Sequence, residues 1–299
     1  IVGALVKTIY YQRYLPFKLN IDKGIFMEIV RTGFPIYLYG AVLFVSSQGD
    51  RVVTAFLLGS YDLGIYQLVS LASVVPFMLI YSFSNSLLPS STFYYVKGKD
   101  MREMSSLTFR VVSLLSIPMA ILGYAISPLF ISELFPEYVS GIATMQLLIL
   151  FLTATSPLQL LPTFMIAAKV SYRPFILIGT LSATEVISLS YLLIPKLGIL
   201  GAALAQVVNT LLTSALYLVL SVKQGIFPLS RREVFTLALI ILSFFSPLNW
   251  IVVLILEALG FRFLGIVSAS EVKVVENLTP HPLRRIIKVL YLVVNHSNT

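Results

Sequence analysis

The chain has no cysteine, only two histidines and few charged residues. Without cysteine it has no disulfide, thiolate metal site or cysteine nucleophile. His281 and His296 both lie near the C-terminus, which excludes a histidine-rich metal site. Charged residues make up 11% of the 299 residues, against roughly 25% in soluble domains, and this scarcity also argues against a disordered chain. We therefore expect neither a metal nor a cofactor.

The chain is rich in hydrophobic residues. Hydrophobic residues make up 58% of the chain, and the mean hydropathy is +0.92. A soluble protein cannot hide this much apolar surface, so the composition predicts an integral membrane protein. A net charge of +8 would suggest a nucleic-acid partner in a soluble chain. In a membrane protein the distribution of charge matters more than its sum, and no nucleic-acid partner is expected.

Apolar runs of the length needed to cross a bilayer predict an all-α polytopic helix bundle. Crossing about 30 Å takes roughly 20 residues at the helical rise. Six runs satisfy this requirement: 33–57, 63–88, 107–130, 141–166, 175–194 and 199–222. A seventh stretch, 234–261, contains the breaker cluster 246–249 and predicts a hairpin of two short helices. The total is about eight transmembrane helices.

The cationic residues test this arrangement. All but Lys196 and Arg51 of the 21 cations lie before the first span, at alternate loops, or after the last span, with Arg110 counted at the second loop. Short cytoplasmic loops collect lysine and arginine. The pattern predicts a multi-pass protein of the cytoplasmic membrane with both ends of this chain in the cytoplasm.

Both ends of the chain carry further amphipathic sequence. Residues 1–9 are apolar and too short to span, which indicates the end of a helix that starts upstream; a short interfacial anchor is the alternative. Residues 20–32 predict an amphipathic elbow on the inner leaflet. Residues 283–294 predict a basic amphipathic helix that either meets anionic lipids or packs on the protein's own loops.

Asp50 and Arg51 are the most informative polar pair. They lie deep in the first span, after Gln48, where each charge costs roughly 2.5–3.5 kcal/mol. Adjacent helical residues point about 100° apart, so the two are expected to reach different neighbours. One hypothesis is that Arg51 faces a cavity and meets an anionic substrate, while Asp50 holds it or carries a coupling ion. The alternative is an interhelical ion pair that locks the bundle.

Other polar groups are weaker candidates. Glu185, in the middle of a span, is either a proton relay for ion coupling or a neutral hydrogen-bonding group between helices. Lys169 and Arg173 lie at a predicted inner mouth, where they either receive a phosphate or only set topology. No loop exceeds about twenty residues or carries a catalytic constellation, so the chain is not expected to be an enzyme.

Prolines and small residues predict bends and close contacts within the bundle. Pro76, Pro118, Pro157 and Pro162 fall inside spans and predict kinks. Gly198 with Ala202, and Gly201 with Ala205, form small-xxx-small pairs that favour close helix packing. Such features occur in transporters that rock and in rigid bundles alike.

Several motifs resemble a known superfamily. They are Gly33-Phe34-Pro35, Asp50-Arg51, Leu63-Gly64-Ile65-Tyr66, the glycine-alanine run 197–205 and the tail segment 278–285. Together they resemble polysaccharide exporters and lipid-linked oligosaccharide flippases, which are relatives of the multidrug and toxin extruders.

The resemblance implies about fourteen helices in two six-helix lobes with two appended helices, of which this chain would be the C-terminal half. Residues 1–32 would then be the end of a preceding helix and the elbow, 33–222 the second lobe, 223–265 the appended hairpin and 266–299 the cytoplasmic tail. The implied activity is alternating-access transport of lipid-linked oligosaccharide or polysaccharide precursors. Membrane lipids and the glycosyltransferases of the same pathway are the implied partners.

The resemblance makes Arg51 the first choice for contact with the substrate head group. Together with the candidates named above, the predicted substrate-binding set is Arg51, Asp50, Gln48, Lys169 and Arg173, with Glu185 for ion coupling. The alternatives are a multidrug or toxin extruder on the same scaffold and an inactive half-transporter. A membrane-embedded glycosyltransferase would need a catalytic carboxylate and a larger outer loop, whereas the longest outer connection holds only Glu133 and Glu137.

Overall fold

A computed structural model of the chain describes residues 22–98 and 100–263, and all regular structure in these ranges is helical. The predicted helix end at 1–11 and the predicted tail helix at 283–294 lie outside the described residues. The helices in chain order are α1 (Lys23–Leu58), α2 (Ser60–Val96), α3 (Met101–Leu134), α4 (Ile142–Ala154), α5 (Ser156–Gln159), α6 (Leu161–Ala167), α7 (Arg173–Leu197), α8 (Ile199–Lys223), α9 (Arg231–Ser243) and α10 (Trp250–Phe263).

Six helical segments of the described chain are long and apolar enough to cross a membrane. They are α1, α2 as far as Met78, α3, Pro136–Ala154, α7 and α8. The prediction of an all-α polytopic membrane bundle is confirmed. Helices α9 and α10 occupy the hairpin stretch, with 13 and 14 residues, and turns lie between them where the breaker cluster falls. Each is about 20 Å long, shorter than the bilayer core.

The helix ends follow from local sequence. The Asp22 carboxylate accepts a hydrogen bond from the backbone N–H of Gly24 at 2.7 Å and caps α1. Two glycines make the single-residue reversals between long helices: Gly59 has φ 85° between α1 and α2, and Gly198 has φ 59° between α7 and α8. A residue with a side chain would be strained in this conformation, so glycine permits the tight connection.

Residues 23–32 do not form a separate elbow. They are the first turns of α1, which continues for 36 residues, about 54 Å at the helical rise. An amphipathic elbow and the start of a span share the same helical periodicity, and Gly33 and Pro35 do not interrupt the helix here. The sequence pattern therefore located a helix correctly but could not tell whether it turned before entering the membrane.

The fourth predicted span is broken into three pieces. Pro157 and Pro162 are the second residues of α5 and α6, so the chain between α4 and α6 turns at each of them. Two prolines five positions apart remove two backbone donors and clash with the preceding turn. Pro76 and Pro118, by contrast, lie inside the continuous helices α2 and α3.

Helices α1, α7 and α8 pack side by side through small residues. Gly179 of α7 faces Val42 of α1, and Gly49 of α1 faces Val186. At the turn from α7 to α8, a Cβ added to Gly201 would lie 2.5 Å from the carbonyl oxygen of Leu193. Gly179 also lines the larger of the cavities described below.

Two cationic connections lie at the same end of the bundle. The Arg102 side chain donates from Nε to the carbonyl oxygen of Gly225 at 2.8 Å. Ser105 donates to the carbonyl oxygen of Ile226 at 2.6 Å. The start of α3 is therefore packed against the loop between α8 and α9, in agreement with the alternation of cationic loops in the sequence.

Arg110 is not a loop residue. It lies in the third turn of α3, buried, with its Nε 3.3 Å from Oε1 of Glu233 at the start of α9. Glu233 also accepts hydrogen bonds from the Ser106 and Ser230 hydroxyls and from the Ser230 backbone. The sequence pattern placed Arg110 among the loop cations. Its ionic partner is 123 residues away and cannot be recognised from the local sequence. The ion pair attaches the hairpin to α3.

Burial by itself would raise the pKa of Glu233. The hydrogen bonds from Ser106 and Ser230, together with the positive charge of Arg110, outweigh burial and hold the pKa below its ordinary value of 4.5. Glu233 is therefore a carboxylate at neutral pH.

We predict that Gly201→Ala destabilises the bundle by about 1–3 kcal/mol, because the new methyl group meets the Leu193 main chain. The measurement is the free energy of unfolding in detergent micelles. Gly64→Ala, inside α2 with no atom within 4 Å of the added Cβ, is the control and should be neutral or slightly stabilising. Equal stability of the two variants would contradict close packing at the α7–α8 turn.

We predict that Glu233→Gln costs about 3–5 kcal/mol, because Arg110 would remain buried without its counter-charge. In the unmodified chain the same stabilisation is present above pH 4.5 and is lost as the pH falls through the lowered pKa. Unfolding measured against pH checks both statements. Glu133→Gln, at an exposed position of α3, is the control. If Glu233→Gln leaves both the free energy of unfolding and its dependence on pH unchanged, the Arg110–Glu233 ion pair does not stabilise the fold.

Candidate functional site

Two adjoining cavities lie among α1, α2, α7, α8 and the broken helix α4–α6. The large chamber has a volume of about 780 Å³ and is bounded mainly by α1, α6, α7 and α8. The small chamber has a volume of about 340 Å³ and is bounded mainly by α1, α2, α4 and α8. Four side chains line both chambers: Ser47, Gln159, Gln206 and Thr210. Volumes of this size suit a small-molecule ligand.

Arg51 and Gln48 lie in the wall of the small chamber. Arg51 donates from Nη1 to Oε1 of Gln48, one turn earlier on α1, at 2.7 Å. Its Nε is buried with no hydrogen-bond partner among the described residues. The guanidinium is thus oriented by Gln48 and retains an unused donor beside a cavity. Arg51 thus lies beside a cavity, and its contact with an anionic substrate stays a prediction.

Asp50 is held by a neutral partner on the next helix. Its Oδ2 accepts a hydrogen bond from the hydroxyl of Tyr66 on α2, and its Oδ1 accepts one from the Arg51 backbone N–H at 2.8 Å. Both Asp50 and Tyr66 are buried. In the part of the chain that the structure describes, neither Asp50 nor Arg51 forms a salt bridge. The alternative interpretation of these two residues, an interhelical ion pair, is therefore not formed among the described residues.

A second polar cluster joins three helices in the wall of the large chamber. The Ser46 hydroxyl of α1 meets the Ser182 hydroxyl of α7, and Ser182 donates to Oδ1 of Asn209 on α8 at 2.6 Å. Asn209 closes the triangle by donating from Nδ2 to Ser46 at 3.2 Å. Sequence reasoning missed this cluster, because nothing in the sequence links positions 46, 182 and 209.

The remaining predicted site residues lie outside the chamber walls. Glu185 is on α7, three residues after Ser182; both carboxylate oxygens are buried with no hydrogen-bond partner among the described residues. Lys169 is exposed in the turn before α7, and Arg173 is exposed at the first position of that helix. The structure brings Gln48, Asp50 and Arg51 together but does not bring these three residues to them.

Tyr66 is the residue that sequence reasoning missed at the small chamber. It falls within the motif Leu63–Tyr66, but a tyrosine in an apolar span reads as a packing residue unless its partner is known. We predict that Tyr66→Phe destabilises the protein by about 1–3 kcal/mol, because it leaves the buried Oδ2 of Asp50 without a donor.

The measurement is the free energy of unfolding in micelles, with Tyr61→Phe as the matched control. Tyr61 is 75% exposed near the start of the same helix, so its hydroxyl is dispensable. If both variants retain the stability of the unmodified chain, the Tyr66–Asp50 hydrogen bond contributes nothing to the fold.

Comparison with known proteins supplies one match. A family model described as "Polysaccharide biosynthesis protein" matches residues 1–139, which include α1, α2, most of the small-chamber polar residues and the start of the chain. No curated protein and no solved structure matches the chain. With its six apolar helices, the chain is a membrane protein whose first 139 residues are similar to the polysaccharide biosynthesis family.

Proposed function

We propose that this chain moves lipid-linked oligosaccharide or polysaccharide precursors across the cytoplasmic membrane by alternating access. The observation that carries the proposal is the position of Arg51: a cation deep in a membrane helix lines a small chamber that opens beside a larger polar one. The similarity of residues 1–139 to polysaccharide biosynthesis proteins gives the substrate class its support.

Arg51 would bind the phosphate of a lipid-linked sugar. A guanidinium presents several N–H donors in a plane and matches phosphate oxygens in two-point contacts. Its bond to Gln48 fixes the plane, and the unused Nε supplies a donor. Asp50 would help to place α1 through Tyr66 rather than neutralise Arg51. The lipid chain would remain in the bilayer, against the exposed apolar faces of the helices.

A drug or toxin extruder is the second function that the scaffold allows. Such a protein would be expected to have an aromatic, apolar cavity and an ion-binding carboxylate. The large chamber has aromatic side chains, such as Phe44 and Tyr217, but it also carries the amide side chains Gln159, Gln206 and Asn209. The amide groups favour a sugar-bearing substrate. A carboxylate for ion coupling does not separate the two functions, because we propose one at Glu185 for either.

The break in the fourth span supports movement within the bundle. Helices α4, α5 and α6 meet at two turns beside the chambers, where a change of backbone angle would alter the chamber walls. Glu185 remains our proposed coupling group, because its carboxylate is buried in a membrane helix without a partner among the described residues.

The remaining parts of the proposal concern orientation and partners. We place both ends of the chain in the cytoplasm, where Lys169 and Arg173 would attract the phosphate before it reaches Arg51. Glycosyltransferases that assemble the precursor would act before this protein. The chain itself would carry out transport and no covalent reaction.

We predict that Arg51→Ala lowers translocation of a polyprenyl-pyrophosphoryl sugar in proteoliposomes by at least about tenfold, because it removes a charge-assisted contact. The assay measures the fraction of sugar that reaches the opposite face of the vesicle. Arg51→Lys keeps the charge but not the planar two-point contact, and its activity should lie between those of the alanine variant and the unmodified chain. Lys196→Ala, at an exposed site near the end of α7, is the control and should retain full activity.

Normal transport by Arg51→Ala would exclude Arg51 from the mechanism. If the unmodified chain binds the lipid-linked sugar but never translocates it, transport by this chain alone is refuted and the half-transporter alternative stands.

A further inference from the structure

The two chambers differ in charge. Asp50 and Arg51 both line the small chamber. None of the described residues that line the large chamber is Asp, Glu, Lys, Arg or His. The walls of the large chamber are mixed. Apolar and aromatic side chains such as Leu43, Phe44 and Tyr217 lie beside neutral polar ones, which include Ser46, Gln159, Thr163, Gln206, Asn209 and Thr213.

We infer that the large chamber receives the sugar part of the substrate and selects sugars without charged groups. The inference rests on the proposed function and adds a specificity to it. The pyrophosphate would lie at Arg51 in the small chamber, and the first sugars would extend through the shared wall into the large chamber.

The chemistry of the walls supports this division. Amide and hydroxyl groups both donate and accept hydrogen bonds, as the hydroxyl and acetamido groups of neutral sugars do. Gln206, which lines both chambers, has an Oε1 that is buried with no partner among the described residues. Such an oxygen is an acceptor for a sugar hydroxyl close to the pyrophosphate.

A charged sugar would lose more than it gains in the large chamber. A carboxylate leaving water needs a counter-charge or several donors to replace its hydration. Among the described lining residues Arg51 is the cation, and it would bind the pyrophosphate. Several donors of the wall already have partners within the protein; a neutral hydroxyl needs fewer of the remaining groups than a carboxylate does. Thr213, for example, donates to the Asn209 carbonyl at 2.8 Å, and Asn209 is held by Ser46 and Ser182.

The position of the large chamber agrees with this assignment. Tyr39 lies twelve residues before Arg51 on α1, about 18 Å along the helix, towards the end that carries the cationic loops. Tyr217, on α8, lies six residues before the end of that helix at Lys223. The large chamber therefore extends from the small one towards the cationic end, and provides a length suited to more than one sugar ring.

The test compares three probes on the purified full chain in lipid nanodiscs. Farnesyl pyrophosphate carries no sugar, farnesyl-pyrophosphoryl galactose carries a neutral one, and farnesyl-pyrophosphoryl galacturonate differs from it only by a carboxylate. Isothermal titration gives the dissociation constant of each. We expect the galactose probe to bind about tenfold more tightly than the galacturonate probe.

A charge placed in the large chamber should change this preference. Thr213→Lys should reduce the ratio of the two affinities by at least about tenfold, because the ammonium offers the galacturonate a counter-charge. Thr213→Met has a similar length without the charge; whatever its affinity, it should keep the preference for galactose.

The outcomes separate this inference from the proposed function. If farnesyl pyrophosphate binds and loses affinity in Arg51→Ala, while the galactose and galacturonate probes bind equally, the selection of neutral sugars is wrong and the proposed function survives. An unchanged ratio in Thr213→Lys likewise refutes the assignment of the sugar to this chamber. If none of the three probes binds the unmodified chain, the proposed function itself fails.

Discussion

A polar group surrounded by hydrocarbon needs a partner inside the protein, because no water is available to provide one. This constraint accounts for the main polar clusters of the described bundle. Tyr66 satisfies Asp50, the hydroxyls and amide of Ser46, Ser182 and Asn209 satisfy one another, and Arg110 satisfies Glu233. The Tyr66–Asp50 bond joins the consecutive helices α1 and α2, whereas the other two clusters join helices that are distant in sequence. The polar residues therefore specify which helices become neighbours. Apolar packing alone would not select one arrangement of the helices.

The need for a hydrogen-bond partner also applies to the polar groups that have none among the described residues. The Nε of Arg51 and the Oε1 of Gln206 are buried and unpaired among the described residues, and both residues line the small chamber. A bundle stabilised by satisfied polar groups but with unsatisfied ones beside a cavity is suited to a ligand that supplies the missing partners. In the proposed function a phosphate would accept from the first group, and a sugar hydroxyl would donate to the second.

Rigidity and freedom are distributed unevenly in the bundle. Helices α1, α7 and α8 pack through glycines, and the Ser46–Ser182–Asn209 cluster joins them on the side of the large chamber. The broken helix α4–α6 forms much of the opposite wall. Hydrogen bonds hold the wall formed by α1, α7 and α8, and prolines interrupt the wall formed by α4–α6. The first wall can therefore keep its shape while the second moves.

Apolar run length determined the number and order of the long helices, because the bilayer thickness sets how many residues a span needs. The motif Asp50-Arg51 predicted a candidate site, because charge inside a membrane is costly wherever it occurs, and both residues line the small chamber. The sequence could not show that Asp50 pairs with Tyr66, that Arg110 pairs with Glu233, or that Lys169 and Arg173 lie apart from Arg51. Those outcomes depend on which helices become neighbours and on how each is rotated. Contacts between distant segments decide both, and no local periodicity records them.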